Sequence, residues 1–133
     1  TNGDYGVQAA VEAGVDSLEH GNYMNEESLN MLAESDTVWV PTLVTVRNLL
    51  GDGRYADETL KPIIEFAEEN VRKAFKLGVK VAPGSDAGAY RVFHGKGIQD
   101  EMKAFTEILE ESDIVCHWLS DGESEIKKKF IRR

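Results

Sequence analysis

Asp86 stands in the run Pro83-Gly84-Ser85-Asp86-Ala87-Gly88, a carboxylate among small residues. Such neighbours leave room beside it for an ion or a ligand, and glycines accept backbone angles that other residues resist. The same residues would equally suit a turn aspartate that satisfies its own backbone. His20, in Glu19-His20-Gly21, is the second polar group at a position where a core-filling residue would not be placed. An imidazole and a carboxylate can serve one metal ion if each brings a donor within about 2 Å of it. Two ligands are too few by themselves, since catalytic zinc usually takes about three from protein plus a water. The glycines at 84 and 88 could also cradle a phosphate, but the Lys-Ser/Thr ending of a P-loop and the GxGxxG spacing are both missing.

Other residues with chemical potential read differently. His94, in Val92-Phe93-His94-Gly95, is either a substrate contact or a solvated loop histidine. His117, between Cys116 and Trp118, has no adjacent base and reads as a structural residue packed in an apolar setting. Glu68-Glu69 and Glu110-Glu111 read as helical, solvated faces. The basic residues Lys127-Lys128-Lys129 and Arg132-Arg133 complement the dipole at a helix C-terminus.

The elements that must position these groups follow from periodicity. Val7, Ala10, Val11 and Ala13 predict a helix over 5–13, with Asp4 as N-cap and Gly14 as the C-cap glycine. A short strand over 15–20 then ends at His20. Asn25 caps a helix carrying Leu29, Leu32 and Ala33, and Ser35-Asp36 stop it. Residues 38–44, Val-Trp-Val-Pro-Thr-Leu-Val, are continuously apolar, as strands buried on both faces are. Pro41 counts against a central strand but is tolerable near a strand end. A loop at 51–53 leads to a helix over 57–77, which starts at Asp57 or at Pro62, where proline fits a first turn. A strand over 79–82 ends shortly before Asp86. Residues 90–97 are irregular, a helix occupies 97–111 and a last one runs over about 123–131.

Helices and strands alternating across short connections predict parallel βα units. In such folds the site lies at the C-terminal ends of the strands, where His20 and Asp86 fall. Strands separated by one neighbour begin roughly 9–10 Å apart, and barrel curvature shortens the gap between inward-pointing side chains.

At 133 residues the chain is long enough for one compact domain and too short for two comfortable ones. A net charge of −9 argues against nucleic acid or an anionic membrane as partner. No apolar run approaches a bilayer span, and the first residues carry no basic-then-apolar signal pattern. The single cysteine, Cys116, cannot form an internal disulfide and is compatible with a reducing cytoplasm.

Three motifs in order, Ala13-Gly14-Val15-Asp16-Ser17-Leu18-Glu19-His20-Gly21, Val40-Pro41-Thr42-Leu43 and the run from Gly78 to Gly88, resemble the amidohydrolase superfamily. Within it, the imidazolonepropionase-like and prolidase-like metal-dependent hydrolases are the branch they suggest. The resemblance spans residues 1 to about 109. It implies a partial (β/α)8 TIM-type barrel, strands 6 to 8 with their helices: barrel units over 1–112, then a helical tail over 113–133. It implies one or two divalent metals, commonly zinc, with His20 and Asp86 as ligands. His20 alternatively polarises the substrate carbonyl, Asp86 takes the proton of metal-bound water, and Thr42 and its neighbours line the substrate pocket. A metal lowers the pKa of its water and a nearby carboxylate receives the proton, so these roles are physically coherent.

The first-strand His-x-His pair of the superfamily is absent, as is its bridging lysine or glutamate, and the fifth-strand histidine would fall just before Thr1. The chain is therefore expected to be the C-terminal part of a barrel and inactive alone. The intact parent would cleave C–N bonds of cyclic amides or dipeptides. The competing expectation is a non-catalytic half-barrel that self-associates into a homo-oligomer through its open sheet edges.

Overall fold

The computed structural model describes residues 1–131. Its elements are α1 (Asp4–Glu12), β1 (Ser17–Glu19), α2 (Glu26–Glu34), β2 (Val38–Val40), α3 (Val44–Arg47), α4 (Asp57–Leu77), α5 (Lys96–Leu109) and α6 (Ser112–Ile131). β1 and β2 pair in parallel with Leu18 opposite Trp39, and Val81 joins β2 through a parallel bridge to Trp39. The helices pack in the succession α1, α2, α4, α5, α6, with α3 wedged between α4 and α5. Leu18, Trp39, Val71, Val81, Phe105 and Leu119 are among the buried side chains of the one core cluster.

The alternation and the parallel pairing agree with the sequence, and Asn25 caps α2 through its side chain at 2.9 Å from the Ser28 amide. Element lengths differ, for local reasons. Asp4 is the first helical residue rather than the cap, because its carboxylate turns away to accept from Asn25 N and Ser28 Oγ. The strand expected over 38–44 stops at Val40, since Pro41 has no N–H to continue the ladder. Val44 instead opens α3, a short helix the periodicity did not announce. α4 starts at Asp57 and carries Pro62 inside it, on the exposed side.

The strand expected over 79–82 survives as a single bridge. One of its edges bonds β2, through Trp39 N to Lys80 O at 2.8 Å and Ala82 N to Trp39 O at 2.9 Å. The other edge meets α6. Trp118 Nε1 donates to Val79 O at 2.9 Å, and a Cβ on Gly122 would sit only 2.0 Å from Val81 O. α6 thus lies directly on the backbone of this edge, which only a glycine at 122 permits.

α6 begins eleven residues before the last helix expected from the sequence, over 123–131. Its buried stripe is Val115, Leu119 and Gly122, with Trp118 half-buried. Cys116 and His117 therefore point outward, contrary to the packed apolar setting expected of them. His117 Nδ1 lies 2.8 Å from Asp113 O, a contact within its own helix. Glu110 and Glu111 mark the break between α5 and α6, where Glu110 has φ 60°, instead of extending a helical face. Arg132 and Arg133 lie outside the described residues.

Candidate functional site

Three chain exits open at one end of the sheet. His20 directly follows β1, and Thr42 follows β2 by two residues. Residues 83–86 follow the strip bridged to β2. Gly84 lies against the end of β2, where a Cβ on it would come within 2.4 Å of Val40 Cγ1, so Asp86 leaves at the same end. His20, Thr42 and Asp86 have φ of 67°, 54° and 54°, the left-handed region. Each such non-glycine residue costs about 1–2 kcal/mol relative to right-handed backbone, most clearly for a β-branched threonine. Strained backbone of this kind concentrates at functional sites.

His20 and Thr42 meet. The ring Nδ1 lies 2.6 Å from Thr42 Oγ1, and that oxygen lies 2.6 Å from Pro41 O. A carbonyl only accepts, so the single hydroxyl proton goes to Pro41 O, and Oγ1 is left to accept from the ring. This assigns the proton of neutral His20 to Nδ1 and the lone pair to Nε2, which has no hydrogen-bond partner among the described residues. The backbone of His20 is fixed as well, its carbonyl accepting from Trp39 Nε1 at 2.8 Å and its amide donating to Val40 O at 2.9 Å. Thr42 is buried and His20 half-buried.

Asp86 is exposed, and its carboxylate makes no hydrogen bond or ion pair with the described residues. His94 is exposed in the loop before α5 and bonds none of His20, Thr42 or Asp86. The structure joins His20 to Thr42, sets Asp86 at the same end and gives His94 no hydrogen bond to any of the three. Among the described residues no group of three or more His, Cys, Asp or Glu side chains could hold a metal ion. A free imidazole Nε2 and an unpaired carboxylate are suitable donors, but the pair falls short of a centre that this chain could hold alone.

Sequence reasoning missed Glu101. It is fully buried on α5 and accepts from Leu43 N and Val44 N, each at 3.0 Å, at the start of α3. Burial pushes its carboxyl up to about 7, against the two amide hydrogen bonds and Arg47, which pull the other way. The signal was present: Gly97, Glu101, Ala104, Phe105 and Ile108 are the buried stripe of α5, and a glutamate interrupts it.

A cavity of about 500 Å³ lies elsewhere, between α3, the loop at Arg91 and Phe93, and α5. Its cations are matched by carboxylates: Arg47 with Glu107, Lys96 with Asp100, Arg91 with Asp52. It contains none of His20, Thr42 and Asp86.

No protein-family model matches the chain. Solved structures do. A Xaa-Pro dipeptidase with methionine bound in its active site superposes with a TM-score of 0.63 at 27% identity, over 80% of this chain and 27% of that one. Ochratoxinase from Aspergillus niger gives a TM-score of 0.72 at 22% identity, over 90% of this chain and 27% of that one, and on those figures shares the fold. The resemblance is to amidohydrolase-family hydrolases. In sequence, an uncharacterized protein of Mycobacterium tuberculosis is 32% identical over 104 residues, 74% of this chain and 28% of that protein. Ochratoxinase is 31% identical over 91 residues, 64% of this chain and 19% of the enzyme. The chain thus spans less than a third of the length of each of these relatives, and its fold is a mixed α/β part of theirs.

Proposed function

We propose that residues 1–133 form the part of a hydrolase barrel, strands 6 to 8 with their helices, that supplies His20 and Asp86 to a site cleaving C–N bonds of cyclic amides or dipeptides. The observation that carries this reading is the strand-end geometry. His20, Thr42 and Asp86 leave one end of the sheet, each in left-handed backbone, and the Nε2 of His20 has no hydrogen-bond partner among the described residues. The dipeptidase likeness supports the reaction class.

In this reading Asp86 takes a proton from the attacking water as its oxygen adds to the substrate carbonyl carbon. It then returns that proton to the departing nitrogen as the C–N bond breaks. The exposed, unpaired carboxylate suits a proton carrier that must meet solvent and substrate in turn. His20, with its ring proton on Nδ1, would offer the Nε2 lone pair to a divalent ion that polarises the substrate carbonyl, while Thr42 fixes the ring and lines the pocket. His94 contacts substrate from the following loop. The divalent ion expected from the resemblance, zinc foremost, would draw His20 and Asp86 from this chain and its remaining ligands from outside residues 1–133.

The test is turnover of Xaa-Pro dipeptides and cyclic amides by a polypeptide in which these residues sit within a complete barrel. Asp86→Asn is expected to lower kcat by about 10²–10⁴-fold with a smaller change in KM. Undiminished kcat in that variant would refute the assignment.

A further inference from the structure

We infer that Glu101 is a positioning residue for the candidate site: its buried carboxylate pins the Thr42–Leu43–Val44 backbone, and through Thr42 it sets the proton of His20 on Nδ1. The inference rests on the hydrolase reading only for its consequence, since the geometry is complete in this chain.

Thr42 is held from three directions. Its carbonyl accepts from Thr45 N at 3.1 Å and Thr45 Oγ1 at 2.8 Å, within the turn that opens α3. Its hydroxyl is shared between Pro41 O and the His20 ring. The next two amides, Leu43 N and Val44 N, donate to separate oxygens of Glu101. Both amides belong to a helix start, where no intrahelical acceptor exists for them. Without Glu101 they would be buried and unsatisfied, since Leu43 and Val44 are themselves buried, and the peptide that holds Thr42 at φ 54° would lose its anchor. A threonine relaxing out of left-handed backbone moves its Cβ, and with it the hydroxyl that now receives His20. Glu101 is 58 residues from Leu43, so no local turn can substitute for it.

A carboxylate here is a specific choice. The interior of α5 would be better served by a leucine if packing were the only demand, because an ionisable group pays desolvation. Two oxygens that each take one amide are what a carboxylate supplies and an apolar residue does not.

The test reads the ring nitrogens of His20 by long-range ¹H–¹⁵N NMR on this chain, without metal or substrate, at one pH at which the ring is neutral. The parent chain should show two well-separated nitrogens with the proton on Nδ1. Thr42→Val and Glu101→Ala should both collapse that separation toward the averaged position of a free imidazole, leaving His94 and His117 unmoved. Glu101→Gln, which keeps one acceptor oxygen, should retain part of the separation. Ile108→Ala, a cavity on the same buried face of α5, should retain all of it. If Glu101→Ala does not fold, amide exchange in Glu101→Gln decides: at least tenfold faster exchange at Leu43 or Val44, together with a narrowed His20 separation, supports the role. An unchanged His20 pattern in folded Glu101→Ala or in Glu101→Gln overturns it, as does an equal collapse in Ile108→Ala. Because no catalysis is measured, failure here leaves the hydrolase reading standing, and inactive Asp86 variants would not bear on Glu101.

Discussion

Thr42 is β-branched and sits at φ 54°, a combination few folds tolerate without cause. The sequence placed it inside a strand and the family resemblance placed it in the pocket lining, but neither could show its backbone, because left-handed conformation in a non-glycine is imposed by contacts distant in the chain. Glu101 shows the same limit from the other side. Its place in the α5 stripe was readable, yet its partners at Leu43 and Val44 were not. Its carboxyl, raised by burial from 4.5 to about 7, has a consequence for stability. A group that holds its proton more tightly folded than unfolded contributes stability fully present below about pH 4.5. That contribution is lost as pH rises through about 7. Urea unfolding at pH 5 and pH 8 should therefore show this chain less stable at the higher pH, by up to about 3 kcal/mol from this group. In Glu101→Gln that difference should shrink, whereas an equal pH dependence in the variant would show that other groups set it. Gly84 belongs to this scale as well. Its absent Cβ is what lets residues 83–86 cross Val40, so Gly84→Ala should cost about 1–3 kcal/mol in the same assay through overpacking.

Among the elements, α4 and α6 differ most in how they could be read. α4 has a long apolar stripe and a glycine C-cap at Gly78 with φ 71°, and its bounds of 57 and 77 follow from those signals. Pro62 inside it left the start ambiguous, and the structure resolves this by letting the proline face solvent within the first two turns of α4. Pro62→Ala should raise stability by about 1–3 kcal/mol, read as a higher melting temperature; a lowered one would show that the ring packs or restrains the loop before it. α6 concealed its first half because its buried stripe includes Gly122, which adds nothing to an apolar count. The same glycine is the contact that seats the helix on Val81 O. Strand lengths were overestimated for a related reason: apolar runs at 38–44 and 79–82 record burial, and burial continues past the last ladder bond into α3 and the loop before Asp86.

For the molecule as a whole, alternation gave the parallel βα order, while the fate of the sheet edges depended on packing. One edge carries residues 1–3, with Gly3 N on Asn22 O and Gly21 N on Thr1 O, each at 2.7 Å. The other lies under α6, so self-association through it first requires that helix to leave. Gly122→Val should dislodge α6, uncover the backbone of residues 79–82 and raise the mass seen by light scattering above that of the parent chain. An unchanged mass in a folded variant would show that this edge does not pair. The proposed site requires His20 and Asp86 to face one space at the common end of the sheet. Zn²⁺ titrated into the chain in large excess, as the weak binding of a two-donor site requires, and followed by NMR tests this most directly. The His20 ring and the Asp86 amide should shift together along one binding curve, and Asp86→Asn should weaken the His20 response. Separate curves for the two residues, or a His20 response indifferent to Asp86→Asn, would contradict it.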